Sequence, residues 1–146
     1  MSVFTFIAAD LLAQAEHDIM ATPVLVTTSL DIASAVRREI ESRMERLERA
    51  DIIRQSMEQR GCIAVLDSLE EAVELANRVA PEHLCLMVAD PWSWAERVKH
   101  AGGLFLGEFS PEVMGDYVAG PSHVMPTGGT ARFSSALGVH QFLRTM

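Results

Sequence analysis

The sequence predicts an α/β fold: a doubly wound, mostly parallel sheet flanked by helices. Four short apolar runs alternate with longer segments in which apolar residues recur at helical spacing. Strands that are joined through helices usually pair in parallel, because the crossover returns each strand in the same direction. At 146 residues the chain is long enough to bury a core, and we assign residues 1–146 to a single α/β domain.

The composition excludes several classes of partner. Twelve Lys and Arg residues against 20 Asp and Glu residues give a formal net charge of −8 without a basic patch, so we expect neither nucleic acid nor an anionic membrane as a partner. No apolar run approaches the roughly 20 residues of a membrane span. The cysteines, Cys62 and Cys85, lie in apolar runs and are predicted to be small buried side chains rather than a disulfide. We expect a cytoplasmic protein.

The first half of the chain predicts three helical segments and a strand. Thr5–Glu16 has an apolar stripe among alanines, which predicts a helix. Pro23–Thr28 is a β-branched run and predicts a buried strand. Ser29 or Asp31 then caps a long amphipathic helix, and a second helical piece ends at Gly61.

The second half continues the alternation of strands and helices. The predicted elements are, in order, the strand Cys62–Leu66, the helix Leu69–Val79, the strand His83–Val88, the helix Pro91–Lys99, the strand Gly103–Gly107 and a last helix Ala136–Arg144. Between the last strand and the last helix lies Ser110–Ser135, which holds four of the nine glycines and three of the six prolines. Such irregular backbone is where a scaffold often carries its chemistry.

Two polar side chains interrupt the first predicted helix. Gln14 lies on the face that the apolar stripe marks for burial, and His17 follows three residues later on the same side. Two side chains at this spacing can converge on one metal ion. The alternative is a helix end with a capping histidine and a hydrogen-bonded glutamine.

Glu82 and His83 are adjacent and precede a predicted strand. Neighbours in extended backbone point to opposite sides, so each side chain can serve a different reacting atom as a proton acceptor. A surface turn is the alternative for this dipeptide. In the glycine-rich segment, Asp116 and His123 are the remaining candidates, and a solvated surface loop is the alternative there.

Three segments resemble one enzyme family. GDYVAGPSHVMPTGGTARFSS, FIAADLLAQAEHD and APEHLCLMV stand in the order that is typical of histidinol dehydrogenase. This resemblance covers nearly the whole chain, while family members are much longer. It implies a Rossmann-like α/β domain similar to the second such portion of those enzymes, with the upstream NAD-binding region and the C-terminal tail absent. No GxGxxG fingerprint is present, and the residues that contact NAD stay unknown.

The resemblance also implies roles for individual residues. Glu82 and His83 match the catalytic bases, and Gln14, His17 and Asp116 match ligands of a zinc ion. The substrate-binding set is Gln14, His17, His83, Asp116 and His123. The implied reaction is the oxidation of L-histidinol to L-histidine with two NAD in a homodimer, and the chain alone is expected to be inactive.

Two other functions remain open from the sequence. The chain can be a non-catalytic zinc-binding or assembly module derived from that family, although the retained bases argue against decay. It can also be an independent small enzyme that uses the same pocket for another reaction.

Overall fold

A computed structural model describes residues 3–117 and 119–144 of the chain. Its contacts divide the chain into two compact units, Met1–Ala72 (unit 1) and Val73–Met146 (unit 2). This division concerns packing alone. The assignment of residues 1–146 to one α/β domain therefore stays a prediction.

Unit 1 combines three helices with one pair of strands. Its elements are α1 (Val3–His17), β1 (Val24–Thr27), α2 (Leu30–Met44), α3 (Ala50–Arg60) and β2 (Cys62–Val65). The two strands pair in parallel, with Val24 opposite Cys62 and Thr27 opposite Val65. The crossover between them contains α2 and α3, as a parallel pair requires.

The core of unit 1 lies where α1 contacts α2 and α3. Val36 of α2 and Ile53 of α3 are fully buried. Val36 packs in a cluster with Ala8 of α1. Ile53 packs in a second cluster with Leu12 and Ala15 of α1. The small alanine side chains let the helices approach closely, so the face of α1 that carries them is committed to packing.

Two helix ends in unit 1 have identifiable causes. The Ser29 hydroxyl accepts a hydrogen bond of 3.3 Å from the Ile32 N–H, which makes Ser29 the N-cap of α2. Gly61 ends α3 with a φ of −62°, so a left-handed conformation is not the reason for glycine there. A Cβ at Gly61 would lie 2.5 Å from the Met57 carbonyl oxygen, and this close approach is what requires glycine.

Unit 2 contains the second pair of strands. Its elements are α4 (Leu69–Val79, whose first turn lies in unit 1), β3 (His83–Leu86), α5 (Pro91–Ala95), β4 (Gly103–Leu106), α6 (Val113–Tyr117) and the 3-10 turns Thr130–Arg132 and Val139–Phe142. The strands again pair in parallel, with His83 opposite Gly103 and Leu86 opposite Leu106.

The predicted fold class is confirmed: the structure is α/β, with parallel strands flanked by helices. All four predicted strands form, and they lie in two sheets of two strands each. No helix within residues 3–117 and 119–144 is long and apolar enough to cross a membrane.

Three local predictions are wrong. The helix from Pro91 ends at Ala95 rather than Lys99, because the Asn77 side chain accepts the backbone N–H of Lys99 at 2.6 Å. The predicted α-helix Ala136–Arg144 does not form; the Leu137 N–H donates to the Val124 carbonyl at 3.0 Å, and the segment contains the 3-10 turn Val139–Phe142 instead. Cys62 is exposed rather than buried, and Cys85 is half-buried.

Candidate active site

Helix α1 positions Gln14 and His17. Gln14 is half-buried in the last turns, and His17 is the exposed final residue of the helix. Their spacing places both side chains on one side of α1, which suits two ligands of one ion. Asp18, which follows His17, accepts the Met20 N–H at 2.7 Å, so its carboxylate closes the turn that leaves the helix.

Asp10 lies one helical turn before Gln14 and was not singled out from the sequence. Its Oδ2 atom is buried and has no hydrogen-bond partner among residues 3–117 and 119–144. Burial removes water from this carboxyl and raises its pKa from 3.8 to about 6. A lone carboxylate inside the apolar stretch around Ile7 and Leu11 was the available signal in the sequence.

Glu82 and His83 stand at the entrance to β3 in unit 2. Both side chains are half-buried, and the His83 ring centroid lies 5.9 Å from that of Phe105 on β4. The residue before Pro81 is Ala80, which is fully buried and has a φ of +52°. A left-handed conformation is rare for alanine and makes a sharp turn between α4 and β3, so the chain reaches Glu82 from a fixed direction.

Asp116 and His123 lie on the glycine- and proline-rich segment. The short helix α6, which was not predicted, carries Asp116, and both side chains are exposed. Gly115 and Ser122, their neighbours in sequence, line a cavity of about 330 Å³ beside β4. The pair therefore flanks a concave and mainly apolar surface within unit 2, as expected of a site for a small molecule.

The predicted ligands of the metal fall in both units of the chain. Gln14 and His17 share α1 in unit 1, while Asp116 belongs to unit 2. Within residues 3–117 and 119–144, no group of three or more His, Cys, Asp or Glu side chains is arranged to hold a metal ion. The donor set of amide oxygen, imidazole nitrogen and carboxylate oxygen nonetheless fits zinc, which accepts N and O ligands.

Arg132 braces the segment that carries His123. Its guanidinium donates hydrogen bonds to the carbonyls of Gly129, at 2.8 Å, and of Arg78 in the last turn of α4. A cation at the C-terminal end of a helix satisfies carbonyls that have no partner within the helix. A second cavity of about 390 Å³ opens beside this contact, and none of the predicted site residues lines it.

Sequence reasoning also missed Glu112. This carboxylate is 5 % exposed and immediately precedes α6, the helix that carries Asp116. Its backbone carbonyl accepts the Gly115 N–H at 2.8 Å. A buried charged residue inside a glycine-rich segment is a sign of local order, which composition alone does not reveal.

Known proteins match this chain over almost its whole length. The family model described as histidinol dehydrogenase matches residues 2–146. A histidinol dehydrogenase from Caldanaerobacter subterraneus subsp. tengcongensis is 55% identical over 141 residues, covering 97% of this chain and 33% of the relative. One from Bacillus cereus is 51% identical over 139 residues, covering 95% of this chain and 32% of the relative.

A solved structure agrees with these relatives. The crystal structure of histidinol dehydrogenase from Elizabethkingia anophelis superposes with a TM-score of 0.91 at 38% sequence identity, covering 94% of this chain and 31% of that one. The chain thus spans about a third of the length of the proteins that it matches. By sequence and by fold, it belongs to the histidinol dehydrogenase family.

Proposed function

We propose that this chain supplies the proton-transferring residues and most of the zinc ligands of an enzyme that oxidises L-histidinol to L-histidine with two NAD, in histidine biosynthesis. The main support for this proposal is that Glu82 and His83 are adjacent and half-buried at the start of β3. The family model also matches the chain over residues 2–146. We expect the 146-residue chain to be inactive alone, because it spans about a third of its relatives.

His83 and Glu82 divide the proton transfers between them. His83 accepts the proton of the substrate hydroxyl in the first oxidation, which leaves an aldehyde. Glu82 then accepts a proton from the water that adds to the aldehyde carbon, and the second oxidation gives the carboxylate. NAD supplies the hydride acceptor in both oxidations. Imidazole suits proton transfer near neutral pH, and adjacent residues that point to opposite sides can reach different oxygens.

Gln14, His17 and Asp116 are the proposed zinc ligands. A bound zinc ion would act as a Lewis acid that orients the substrate. Ligands that are mainly oxygen and nitrogen atoms suit an exchangeable catalytic ion better than a structural one. His17 and Asp116 are exposed and available to an incoming ion. His123, also exposed, is the proposed hydrogen-bonding partner of the substrate near the reacting carbon.

We further propose a cytoplasmic homodimer. The support for a dimer is that four aromatic side chains of unit 2 are largely exposed: Phe109, Tyr117, Phe133 and Phe142. Several exposed aromatic residues in one unit are typical of a surface that another protein segment covers.

A chimaera tests the activity directly. This chain replaces the matching 141 residues of the Caldanaerobacter relative, and NADH formation from histidinol is followed by absorbance. We expect turnover that is lost in His83→Ala and reduced in Glu82→Gln, since each variant lacks one proton acceptor. A folded chimaera that forms no NADH, beside an active parent enzyme, would refute the proposal.

Zinc binding is tested by calorimetry on the wild-type chain and on His17→Ala, with and without histidinol. Uptake that strengthens with histidinol and disappears in the variant supports ligation by α1. Equal uptake by both proteins contradicts it.

The second candidate function is a non-catalytic zinc-binding or assembly module. The exposed aromatic side chains of unit 2 favour it, because they fit docking without requiring chemistry. The chimaera separates the two functions: a module would still assemble and bind zinc, but His83→Ala would change no rate.

A further inference from the structure

The geometry points to Gly102 as a positioning residue that sets the spacing between the Glu82–His83 backbone and the segment that carries His123. This inference deepens the proposed function and rests on it, since Glu82 and His83 are bases only in that reaction. It assigns a role to a residue that has no side chain and precedes β4.

Gly102 lies in backbone-to-backbone contact with Glu82. A Cβ built on Gly102 would lie 2.6 Å from the Glu82 carbonyl oxygen and 3.2 Å from its Cα. The same Cβ would lie 3.1 Å from the Pro126 carbonyl oxygen, three residues beyond His123. All these atoms are main chain, so rotating a side chain cannot relieve the contact.

Hydrogen bonds also join the backbone at Gly102 and Gly103 to the backbone at Pro81 and Glu82. The Gly102 N–H donates to the Pro81 carbonyl at 2.9 Å, and the Gly103 N–H donates to the Glu82 carbonyl at 2.7 Å. An added methyl group at position 102 must lengthen one of these bonds or displace the backbone near Pro126.

The segment before Glu82 has little freedom to yield. Ala80 is fully buried in a left-handed conformation, and its N–H donates to the Ala76 carbonyl at 2.8 Å. Pro81 has a fixed φ. Pro126, on the opposing segment, is also buried. The absence of a side chain at Gly102 therefore sets how closely the two segments approach.

The requirement for glycine is one of space. Gly102 is not among the glycines with positive φ, so alanine can adopt its backbone conformation. Gly61 in unit 1 is a matched control: its φ is −62°, and its added Cβ would lie 2.5 Å from the Met57 carbonyl oxygen. Gly61→Ala creates a comparable clash, in which the three nearest atoms all belong to Met57.

The first experiment measures amide hydrogen exchange by NMR in the 146-residue chain. Gly102→Ala should speed exchange of the Gly103 amide by about 10-fold or more relative to Gly61→Ala, because only the former strains the bond to Glu82. Equal exchange of this amide in the two variants would overturn the inference, whether or not the chain is part of an enzyme.

The second experiment measures turnover in the chimaera. We expect Gly102→Ala to lower kcat by about 10- to 100-fold, because misplacing a reacting group by about 1 Å can cost about 100-fold in rate. Zinc content and KM for histidinol should change by less than about threefold, and Gly61→Ala should leave kcat nearly unchanged. If Gly102→Ala does not fold, Ala80→Gly is added to let the segment shift, and the low kcat should persist.

The outcomes separate the two proposals. Unchanged kcat in a folded Gly102→Ala chimaera refutes the positioning role while leaving the proposed function intact. A wild-type chimaera without turnover refutes the proposed function, and the exchange experiment still decides whether Gly102 sets the backbone spacing.

Discussion

Replacing Asp10 with asparagine should stabilise the chain at neutral pH. The carboxyl is buried without a hydrogen-bond partner for Oδ2 among the described residues, and burial raises its pKa from 3.8 to about 6. The folded state therefore holds this proton more tightly than the unfolded chain does. The stability contributed by the protonated form is complete below pH 3.8 and is lost as the pH rises through about 6.

The magnitude follows from the two pKa values. A difference of about two units between 3.8 and about 6 corresponds to about 3 kcal/mol at most. Asp10 is only half-buried, and residual solvent screening reduces the cost of its charge to about 1 kcal/mol. Asparagine has nearly the same shape as the protonated carboxyl and carries no charge at any pH.

The assay is urea denaturation of the wild type and Asp10→Asn between pH 4 and pH 8. We expect the free energy of unfolding of the variant to exceed that of the wild type by about 1 kcal/mol at pH 8, with the difference vanishing near pH 4. Glu58→Gln, which changes an exposed carboxylate of α3, serves as the control. A difference between Asp10→Asn and wild type that is independent of pH would refute the argument.

Three further changes test the packing. Ile53→Ala empties a fully buried position and should cost about 2–5 kcal/mol in urea denaturation; a loss below about 1 kcal/mol would contradict the assigned core. Ser29→Ala removes the cap of α2 and should cost about 1 kcal/mol, whereas Ser29→Asp should keep most of the stability; equal losses in both variants would argue against capping. Arg132→Ala breaks the hydrogen bonds to Gly129 and Arg78 and should speed amide exchange around Thr130, with Arg144→Ala as an exposed control; identical exchange in the two variants would exclude the brace.

Local signals in the sequence were sufficient for most of the fold. The four strands are short apolar runs, and the cap at Ser29 depends on residues within one helical turn. Elements that depend on distant contacts were missed. The end of α5 depends on Asn77 of another helix, and the absence of an α-helix at Leu137 depends on its hydrogen bond to the Val124 carbonyl.

The candidate site, like the fold, was predictable where it depends on local sequence and not where it depends on distant contacts. The residue types of Gln14, His17, Glu82 and His83 are visible in the sequence, and helix or strand periodicity gives each pair its relative direction. The backbone position of Glu82 and His83 was not predictable. It depends on a left-handed alanine and on a glycine about 20 residues away whose backbone lies against that of Glu82. Neither feature leaves a periodic pattern.

The parallel pairing of the strands has a consequence for the order of folding. Val24 and Cys62 are separated along the chain by about twice as many residues as His83 and Gly103, and each doubling of a closed loop costs about 0.6 kcal/mol of entropy. We expect β3 and β4 to meet before β1 and β2. The turn that presents Glu82 and His83 would then form early, while the slower closure in unit 1 sets the overall refolding rate.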